Sequence, residues 1–337
     1  MMSTEVDERN IVKKVHRLVN GILKEVQLFP EDATILVACS GGPDSMVLVE
    51  ILQALAVHRK TNWRIGIATM NHGIRPESAE EVRMVQDYCD KRFLPFWTIS
   101  RDIPRIAKER GQSLETVGRD ERYQWLLDVA QTEGFQYIAV AHHKDDQAET
   151  ILAHFIRGSG LRGLTGMDIV RHDFHTPLVR PLLTLTKADI LAYAAVQGIS
   201  YCLDVSNDDV VYTRNFIRHR IMPALEQLNP NIGDVLCRLG AIAKEDADYI
   251  DSESRIVFDA LVSKEAGRFS LSRRALRKQP LAIQRRIWQR VCKPLTLSWA
   301  HQEQLRQITF TGEPKSLHIS HITIEAQCDT IQVYCQD

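Results

Sequence analysis

The residues best suited to chemistry form one short run, Ser40-Gly41-Gly42-Pro43-Asp44-Ser45. Glycines let backbone amides approach an anion closely, and the start of a following helix adds partial positive charge. The two serine hydroxyls add donors, and the carboxylate of Asp44 can hold a magnesium ion. Because the run lacks both the Walker ending and the Gly-x-Gly-x-x-Gly pattern, it predicts a phosphate loop of another kind. A tight turn with incidental glycines is the alternative, but it needs neither serine nor aspartate.

A second group of residues suited to chemistry follows 100 residues later. It contains Asp145, Asp146 and Glu149, which we call the acidic cluster. Its carboxylates can hold magnesium or move a proton. Helical spacing predicts that Asp145 and Glu149 share one face and that Asp146 points elsewhere; simple helix capping is the alternative. The preceding His142 and His143 lack third and fourth ligands for a metal site. Phosphate contact is favoured for them, with ordinary hydrogen bonding as the alternative.

Both groups follow segments that read as β-strands. Apolar runs predict strands at 33–39, 63–70, 95–100 and 137–141, and helical periodicity predicts intervening helices at 46–55, 77–93 and 114–130. Alternating strands and helices indicate an α/β fold with a doubly wound, mainly parallel sheet, Rossmann-like in outline. Ligands bind such sheets beyond the carboxyl ends of the strands. We therefore expect the site in the loops after Cys39, Met70, Ser100 and Ala141.

After about residue 156 the regular alternation of predicted strands and helices ends. Four glycines between residues 157 and 167 predict a mobile loop, and a helical stretch spans 232–262, with an acidic part from Glu245 to Glu253. From residue 268 the pattern predicts a strand, two helices and a β-rich tail. We expect an α/β catalytic domain at 1–225, a helical connector at 226–262 and a small C-terminal α+β substrate-binding domain at 263–337.

Composition excludes several classes of protein. The chain has 337 residues, 44% hydrophobic and 25% charged, with a net charge of -1, as in ordinary soluble domains. Seven scattered cysteines without a Cys-x-x-Cys pair argue against a zinc ribbon and a secreted disulfide scaffold. No apolar run approaches the ~20 residues of a membrane helix, and no signal peptide is recognisable. We expect a cytoplasmic protein without a membrane partner.

The phosphate loop resembles the signature of the N-type ATP pyrophosphatases, the PP-loop superfamily. Further motifs follow it in order: Asn71-His72-Gly73-Ile74-Arg75, Ala141-His142-His143-Lys144-Asp145-Asp146-Gln147-Ala148-Glu149-Thr150, Arg157-Gly158-Ser159-Gly160-Leu161-Arg162-Gly163-Leu164, Arg180-Pro181-Leu182-Leu183, Asp204-Val205-Ser206-Asn207 and Arg214-Asn215-Phe216-Ile217-Arg218-His219. Together they resemble the tRNA(Ile)-lysidine synthetase family, densely over about residues 33–223. The chain departs from that pattern at Phe216, where arginine is frequent, at His154, where leucine is usual, and at Gly118, where alanine is usual.

The resemblance implies a definite reaction. ATP adenylates the oxygen on carbon 2 of the first anticodon cytidine of a CAU tRNA(Ile), and diphosphate leaves. The side-chain amine of free L-lysine then attacks that carbon and expels AMP. The product, lysidine, pairs with A instead of G, which switches decoding from AUG to AUA and charging from methionine to isoleucine.

The same resemblance implies roles for particular residues. ATP and its diphosphate would be held by the phosphate loop together with Met70, His72 and Arg75. Magnesium would be held by Asp44 and Asp145. The catalytic residues would be Asp44, Asp145, Asp146, His142 and Arg119. The residues that bind lysine and tRNA would be Glu149, Arg157, Arg162, Arg214 and Arg218. Which carboxylate takes magnesium and which takes the lysine amine stays open, and Arg75 and Arg119 are alternatively surface ion pairs.

A basic stretch near the C-terminus is a candidate for RNA contact. Nine cations and no acidic residue lie between residues 267 and 302. Such a block in a near-neutral chain favours contact with phosphates, whereas a solvated helix face usually carries both signs. The candidates are Arg273, Arg274, Arg277, Lys278, Arg285 and Arg286.

Two other functions remain open. One is another adenylating enzyme of the same fold, such as a tRNA 2-thiolating enzyme, although thiolases that carry an iron–sulfur cluster need clustered cysteines. The other is a nucleotide-sensing RNA-binding protein without turnover, against which the three aspartates Asp44, Asp145 and Asp146 argue. The sequence leaves the oligomeric state open between a monomer and a homodimer.

Overall fold

The computed structural model describes residues 2–73, 78–202, 213–311 and 313–335. Residue contacts divide the chain into two compact units, Met1–Gly240 and Ala241–Asp337. Each unit is described by itself below. The three domains predicted at 1–225, 226–262 and 263–337 stay a prediction.

The first unit is built on a six-stranded sheet. Its strands are β1 (Thr34–Ala38), β2 (Arg64–Asn71), β3 (Phe96–Ser100), β4 (Tyr137–Ala139), β5 (Val170–Arg171) and β6 (Leu178–Val179). They lie in the order β3-β2-β1-β4-β6-β5, and every neighbouring pair is parallel except β5 with β6. The predicted mainly parallel α/β sheet is confirmed.

Helices precede, connect and follow these strands. They are α1 (Met2–Glu25), α2 (Pro43–Arg59), α3 (Ser78–Arg92), α4 (Ile103–Arg110), α5 (Leu114–Glu133), α6 (Lys144–Ile156), α7 (Lys187–Gln197), α8 (Thr213–Phe216), α9 (Met222–Leu228) and α10 (Ile232–Leu261). A 3-10 turn spans Leu161–Thr165, and a π-helical turn spans Ile217–Ile221. The hydroxyl of Ser113, just before the helix predicted at 114–130, caps α5 by accepting from the Thr116 amide at 3.2 Å.

The sheet is covered on both faces, and β1 shows this most directly. Ile35 and Val37 point into one core with residues of α1, α2 and α7. Leu36 points to the other side, among Leu126 of α5 and Ile138 of β4. A strand buried on both faces reads as a continuous apolar run, which explains the sequence Ile-Leu-Val.

Strand order also fixes where a ligand can bind. The chain builds outward from β1 through β2 to β3, and then returns to place β4 on the other side of β1. The loops that follow β1 and β4 therefore leave the sheet in opposite directions. A crevice opens between them at the carboxyl ends of these two strands.

The second unit pairs an antiparallel sheet with helices. Its strands are β7 (Val262–Glu265), β8 (Arg268–Ser272), β9 (Lys315–Ile319), β10 (Ile322–Gln327) and β11 (Thr330–Cys335), in the order β7-β8-β11-β10-β9. Its helices are α11 (Arg273–Arg277), α12 (Leu281–Val291) and α13 (Trp299–Phe310). Leu271, Ile287, Trp288 and Ile324 form its core. The structure thus has the predicted α+β character and adds α11 and β7. Among the described residues, no helix combines the length and the apolar character needed to cross a bilayer.

Candidate active site

The phosphate loop joins β1 to the N-terminus of α2 and is ordered by its own side chains. The Ser45 hydroxyl accepts from the Ser40 amide at 3.2 Å and donates to the Gly42 carbonyl at 3.0 Å. Gly41 has a φ of 82°, a conformation that glycine adopts without strain. A side chain there would also meet Val85 at 3.3 Å. The glycine is therefore required by backbone conformation and by space.

Helix α2 places its positive end at this loop. Gly42 is the N-cap and Pro43 occupies the first turn, where its missing N–H costs nothing. Asp44 lies in the same turn, so its carboxylate stands beside free helix amides. The arrangement suits a bound phosphate, with Asp44 at its edge.

One cleft of about 660 Å³ gathers the predicted loops. Its lining includes the phosphate loop, the end of β2 with Met70 and His72, and the segment after β4 with His142. The loops after β1 and β4 therefore share one site, as the sequence predicted. Arg75 and the Asp204-Val205-Ser206-Asn207 motif lie outside the described residues.

Lys187, which sequence reasoning missed, ties the two loops together. Its ammonium nitrogen lies 2.5 Å from Oδ1 of Asp44, and its backbone amide donates to Oδ2 of Asp145 at 2.8 Å. Lys187 lines the cleft. Asp145 does not, but it contacts the cleft through Lys187. The sequence did offer one signal for Lys187. This lysine directly follows Thr186, which caps a helix, and it lies shortly after the Arg180-Pro181-Leu182-Leu183 motif.

The other two acidic residues form a buried ion network with two arginines. Arg218 binds Glu149 through Nε at 2.6 Å and through Nη2 at 2.9 Å, and it reaches Asp146 at 2.8 Å. Arg214 lies 3.0 Å from Asp146 and 3.3 Å from Glu149. The prediction that Asp145 and Glu149 share a face was wrong. Residues three apart on α6, Asp146 and Glu149, face the arginines, and Asp145 turns toward α7.

This network also revises the expected positions of Arg214 and Arg218. Their side chains are about a third exposed, at 34% and 33%, while Glu149 is only 4% exposed. Of the four, Arg218 lines the cleft. Both arginines therefore compensate buried carboxylates, and Arg218 presents that network to the cleft.

Charge compensation is visible in the pKa values of the aspartates. Burial alone would raise the pKa of Asp145, but hydrogen bonds from His143 and the Lys187 amide lower it below its usual range. For Asp146, burial is likewise outweighed by the charges of His143 and Arg214, which lower its pKa. Both groups are therefore carboxylates at neutral pH.

The neighbouring histidines differ from one another. Burial works to lower the pKa of His143, yet the hydrogen bond with Asp145 and the charges of Asp146 and Asp44 raise it above its usual value. Burial, together with the nearby Arg180, lowers the pKa of His142 to about 3. His142 is therefore neutral in the cleft, and its Nδ1 has no hydrogen-bond partner within the described part of the chain.

His72 resembles His142 in these respects. Burial and the charge of Arg122 lower its pKa to about 4, and its Nδ1 finds no partner among the described residues. Two neutral imidazoles, each with a buried and unpartnered Nδ1 within the described residues, thus border the same cleft. Each can contact a ligand without adding charge.

Arg119 lies outside the lining of the cleft. Its side chain is exposed and its guanidinium sits 5.5 Å from the centre of the Tyr123 ring. The next arginine along α5, Arg122, lines the cleft instead. One helical turn separates the two, and of these two arginines Arg122 faces the cleft while Arg119 does not line it.

The glycine-rich segment, for which the sequence predicted a mobile loop, is hydrogen-bonded to side chains of α6. The Gln147 side chain donates to the Met167 carbonyl at 3.1 Å and accepts from the Met167 amide at 2.7 Å. His154 lies with Nδ1 2.5 Å from the Gly163 carbonyl. Helix α6 therefore contacts the segment at Gly163 and at Met167. Arg157 and Arg162 on it are exposed.

The basic candidates of the second unit divide into two groups. Arg273 is only 5% exposed, and its amide donates to the Asp329 carbonyl, so it is a core residue rather than a surface contact. Arg286 binds Asp251 at 2.7 Å, and Arg285 packs on the ring of Trp299 at 5.0 Å. The exposed candidates are Arg274, Arg277 and Lys278.

Asp44 and Asp145 fit a magnesium ion that accompanies a phosphate ligand. Magnesium takes one or two carboxylates and fills its other positions with water and phosphate oxygens. Both aspartates are accessible, with side chains 29% and 47% exposed, and both contact Lys187. Among the described residues, no group of three or more His, Cys, Asp or Glu side chains forms a metal site. The donor set thus suits a metal brought with nucleotide rather than a resident one.

Comparison with known families agrees with this geometry. The family model described as a PP-loop domain matches residues 8–225. The chain belongs to the PP-loop family. The match covers the six strands of the first unit, the phosphate loop and the ion network described above.

Two curated relatives of this PP-loop protein carry the same name. A protein from Geobacter sulfurreducens named tRNA(Ile)-lysidine synthase is 35% identical over 320 residues, which is 89% of this chain and 66% of that protein. One of the same name from Porphyromonas gingivalis is 40% identical over 222 residues, 65% of this chain and 47% of that protein. These matches confirm the resemblance drawn from the motifs. The chain spans about half to two thirds of the length of these relatives.

A solved structure shares the fold at low sequence identity. The U34-tRNA thiolase NcsA from Methanococcus maripaludis, with its 4Fe–4S cluster, aligns with a TM-score of 0.57 and 17% identity. The alignment covers 70% of this chain and 80% of that chain. It supports the architecture alone.

Replacing Glu149 with alanine should destabilise this PP-loop domain strongly. The change leaves two guanidinium groups next to one carboxylate, and we expect the free energy of unfolding to fall by about 2–4 kcal/mol. Urea unfolding followed by circular dichroism measures this loss. A double-mutant cycle with Arg218→Ala should show that the two effects are not additive.

The matched control is Glu109→Ala on α4. Glu109 pairs with Arg105 at 3.1 Å, but both side chains are more than half exposed. An exposed helical pair contributes only about 0.3–0.5 kcal/mol. Equal losses for Glu109→Ala and Glu149→Ala would contradict the assignment of a buried network.

Proposed function

We propose that this chain ligates free lysine to carbon 2 of the first anticodon cytidine of CAU tRNA(Ile), using ATP and forming lysidine. The observation that carries the proposal is the shared cleft, in which the phosphate loop faces the segment after β4 and Lys187 joins Asp44 to Asp145. The name of the curated relatives supports the same reaction. Because ATP, free lysine and tRNA meet in the cytoplasm, we expect the reaction there.

The first step activates the cytidine. A carbonyl oxygen is a poor leaving group, so the oxygen on carbon 2 must first be adenylated. In this proposal the amides of the phosphate loop and the hydroxyls of Ser40 and Ser45 hold the departing diphosphate. Met70 and His72 border the nucleotide, and Asp44 and Asp145 would hold magnesium, which neutralises charge on the phosphates.

Neutral His142 and charged Arg122 both line the cleft. An imidazole that stays neutral can donate a hydrogen bond to the developing adenylate without requiring a counter-charge. Arg122, rather than the exposed Arg119, is the arginine placed to meet phosphate charge. This replaces the expectation drawn from the sequence.

The second step brings in lysine. Its side-chain amine has a pKa near ~10.4, so about one molecule in a thousand is neutral at pH 7 and a carboxylate must orient the ammonium and accept its proton. Arg218 lines the cleft and is hydrogen-bonded to both Asp146 and Glu149, so a positive charge and two compensated carboxylates adjoin it. We propose that the carboxylates of this ion network meet an ammonium of lysine and that its guanidinium groups meet the lysine carboxylate.

The tRNA requires further contacts. Chemistry on carbon 2 needs the cytosine out of its stack, where the cleft can receive it. We propose that the exposed Arg157 and Arg162 on the glycine-rich segment contact the anticodon arm. In the second unit, the exposed Arg274, Arg277 and Lys278 are proposed to contact phosphates elsewhere on the tRNA.

The direct test is transfer of radiolabelled lysine. We expect the chain, with ATP and magnesium, to label a CAU tRNA(Ile) transcript and to leave tRNA(Met), which has the same anticodon, unlabelled. A preparation that binds ATP but transfers no lysine would contradict the proposal. Sulfur incorporation with lysine inert would identify a 2-thiolating enzyme, and tRNA binding without diphosphate release would identify a sensor.

Two variants should separate catalysis from tRNA binding. Asp44→Ala removes a carboxylate at the phosphate loop, and we expect it to abolish adenylation while tRNA affinity stays within about threefold. The double variant Arg277→Ala/Lys278→Ala should weaken tRNA binding and flatten its salt dependence while ATP binding stays unchanged. Filter binding at several salt concentrations measures tRNA affinity and its salt dependence, and calorimetry measures ATP binding. Loss of tRNA affinity in Asp44→Ala would contradict this division of roles.

A further inference from the structure

We propose that Lys187 binds the diphosphate group: its ammonium leaves Asp44 when nucleotide enters and contacts the oxygens of the β- and γ-phosphates. The inference deepens the proposed function and rests on it, because the diphosphate is the leaving group of the adenylation step. It assigns to α7 a part in a site otherwise built by the loops after β1 and β4.

The backbone fixes where this ammonium can reach. Lys187 is the first residue of α7, and its own amide is held by Asp145 at 2.8 Å. Its side chain extends to Asp44, which lies in the first turn of α2 beside the phosphate loop. A flexible four-carbon chain anchored at one end can swing its charge over that loop without moving the helix.

The pairing of Lys187 is also easier to exchange than that of Arg218, which lines the same cleft. Lys187 and Asp44 are 38% and 29% exposed, and water screens such a pair. By contrast, Arg218 makes three hydrogen bonds to Asp146 and Glu149, of which Glu149 is only 4% exposed. Exchange of Lys187 from one anion to another therefore costs less than release of Arg218.

The ligand supplies the reason for the exchange. Diphosphate carries several negative charges, whereas the phosphate loop offers amide dipoles and hydroxyls, which are neutral. His72 and His142 in the same lining are held neutral, with pKa values of about 4 and about 3. An ammonium next to the loop supplies charge that those groups lack. Asp44, released from Lys187, then faces the magnesium that accompanies ATP.

The test compares binding of inorganic diphosphate and of AMP by calorimetry, with magnesium present. We expect Lys187→Met to weaken diphosphate binding by about tenfold or more and to change AMP binding by less than about twofold, since AMP lacks the β- and γ-phosphates. Lys187→Arg, which keeps the charge, should bind diphosphate within about threefold of the original chain. Diphosphate binding unaffected by Lys187→Met would overturn the proposal.

Lys144→Met is the matched control. Lys144 is the first residue of α6 and pairs with Asp234 at 2.6 Å, a geometry close to that of Lys187 with Asp44, but it does not line the cleft. We expect this variant to bind diphosphate like the original chain. An equal loss in both lysine variants would show a general effect on the fold and overturn the proposal.

A purely structural role, in which Lys187 only restrains Asp44, makes the opposite prediction for one variant. Without magnesium, Asp44→Asn frees Lys187 and removes a negative charge, so we expect diphosphate to bind more tightly. If Lys187 only restrained Asp44, Asp44→Asn and Lys187→Met would weaken diphosphate binding alike, and the proposal would fall.

These measurements can be separated from the proposed function. If the chain transfers no lysine but its diphosphate affinity depends on Lys187, the lysine reaction fails and the assignment of Lys187 stands. If it transfers lysine and Lys187→Met still binds diphosphate normally, the assignment of Lys187 fails and the reaction stands.

Discussion

Compensation of charge across the crevice between β1 and β4 is the interaction on which the site depends. A loop that binds an anion lies in the same cleft region as four carboxylates, and like charges so close would repel one another and any phosphate. Lys187 balances Asp44, His143 balances Asp145, and two arginines balance Asp146 and Glu149. Each carboxylate thus stays ionised without expelling the anion that the loop is built to hold.

The order of the strands makes this compensation possible. Because β4 pairs with β1 on the side opposite β2, the helices that follow these strands diverge and leave the crevice open. The same topology brings α7, which follows the short strand β6, to the rim of the crevice. From there its first residue reaches Asp44 with its side chain and Asp145 with its backbone. The strand order therefore determines which charged groups meet at the crevice.

Local patterns predicted most of the α/β unit. The apolar run before Ser40 and the cap at Ser113 are short-range signals, and the structure has the strand and the helix where they were expected. The partners of Glu149 could not be predicted, because Arg218 lies 69 residues away and helical spacing says nothing about long-range pairs. The choice of Arg122 over Arg119 likewise depends on which side of α5 faces the cleft. In the second unit, Arg273 looked like a surface cation, but tertiary packing buries it.

The central claim is that the cleft activates the tRNA, rather than lysine, at the expense of ATP. Exchange of radiolabelled diphosphate into ATP tests this claim most directly, because exchange reports reversible adenylation of whichever substrate is present. The account predicts exchange with ATP, magnesium and CAU tRNA(Ile) in the absence of lysine. Exchange that needs lysine and proceeds without tRNA would contradict it, since the amino acid would then be the adenylated group.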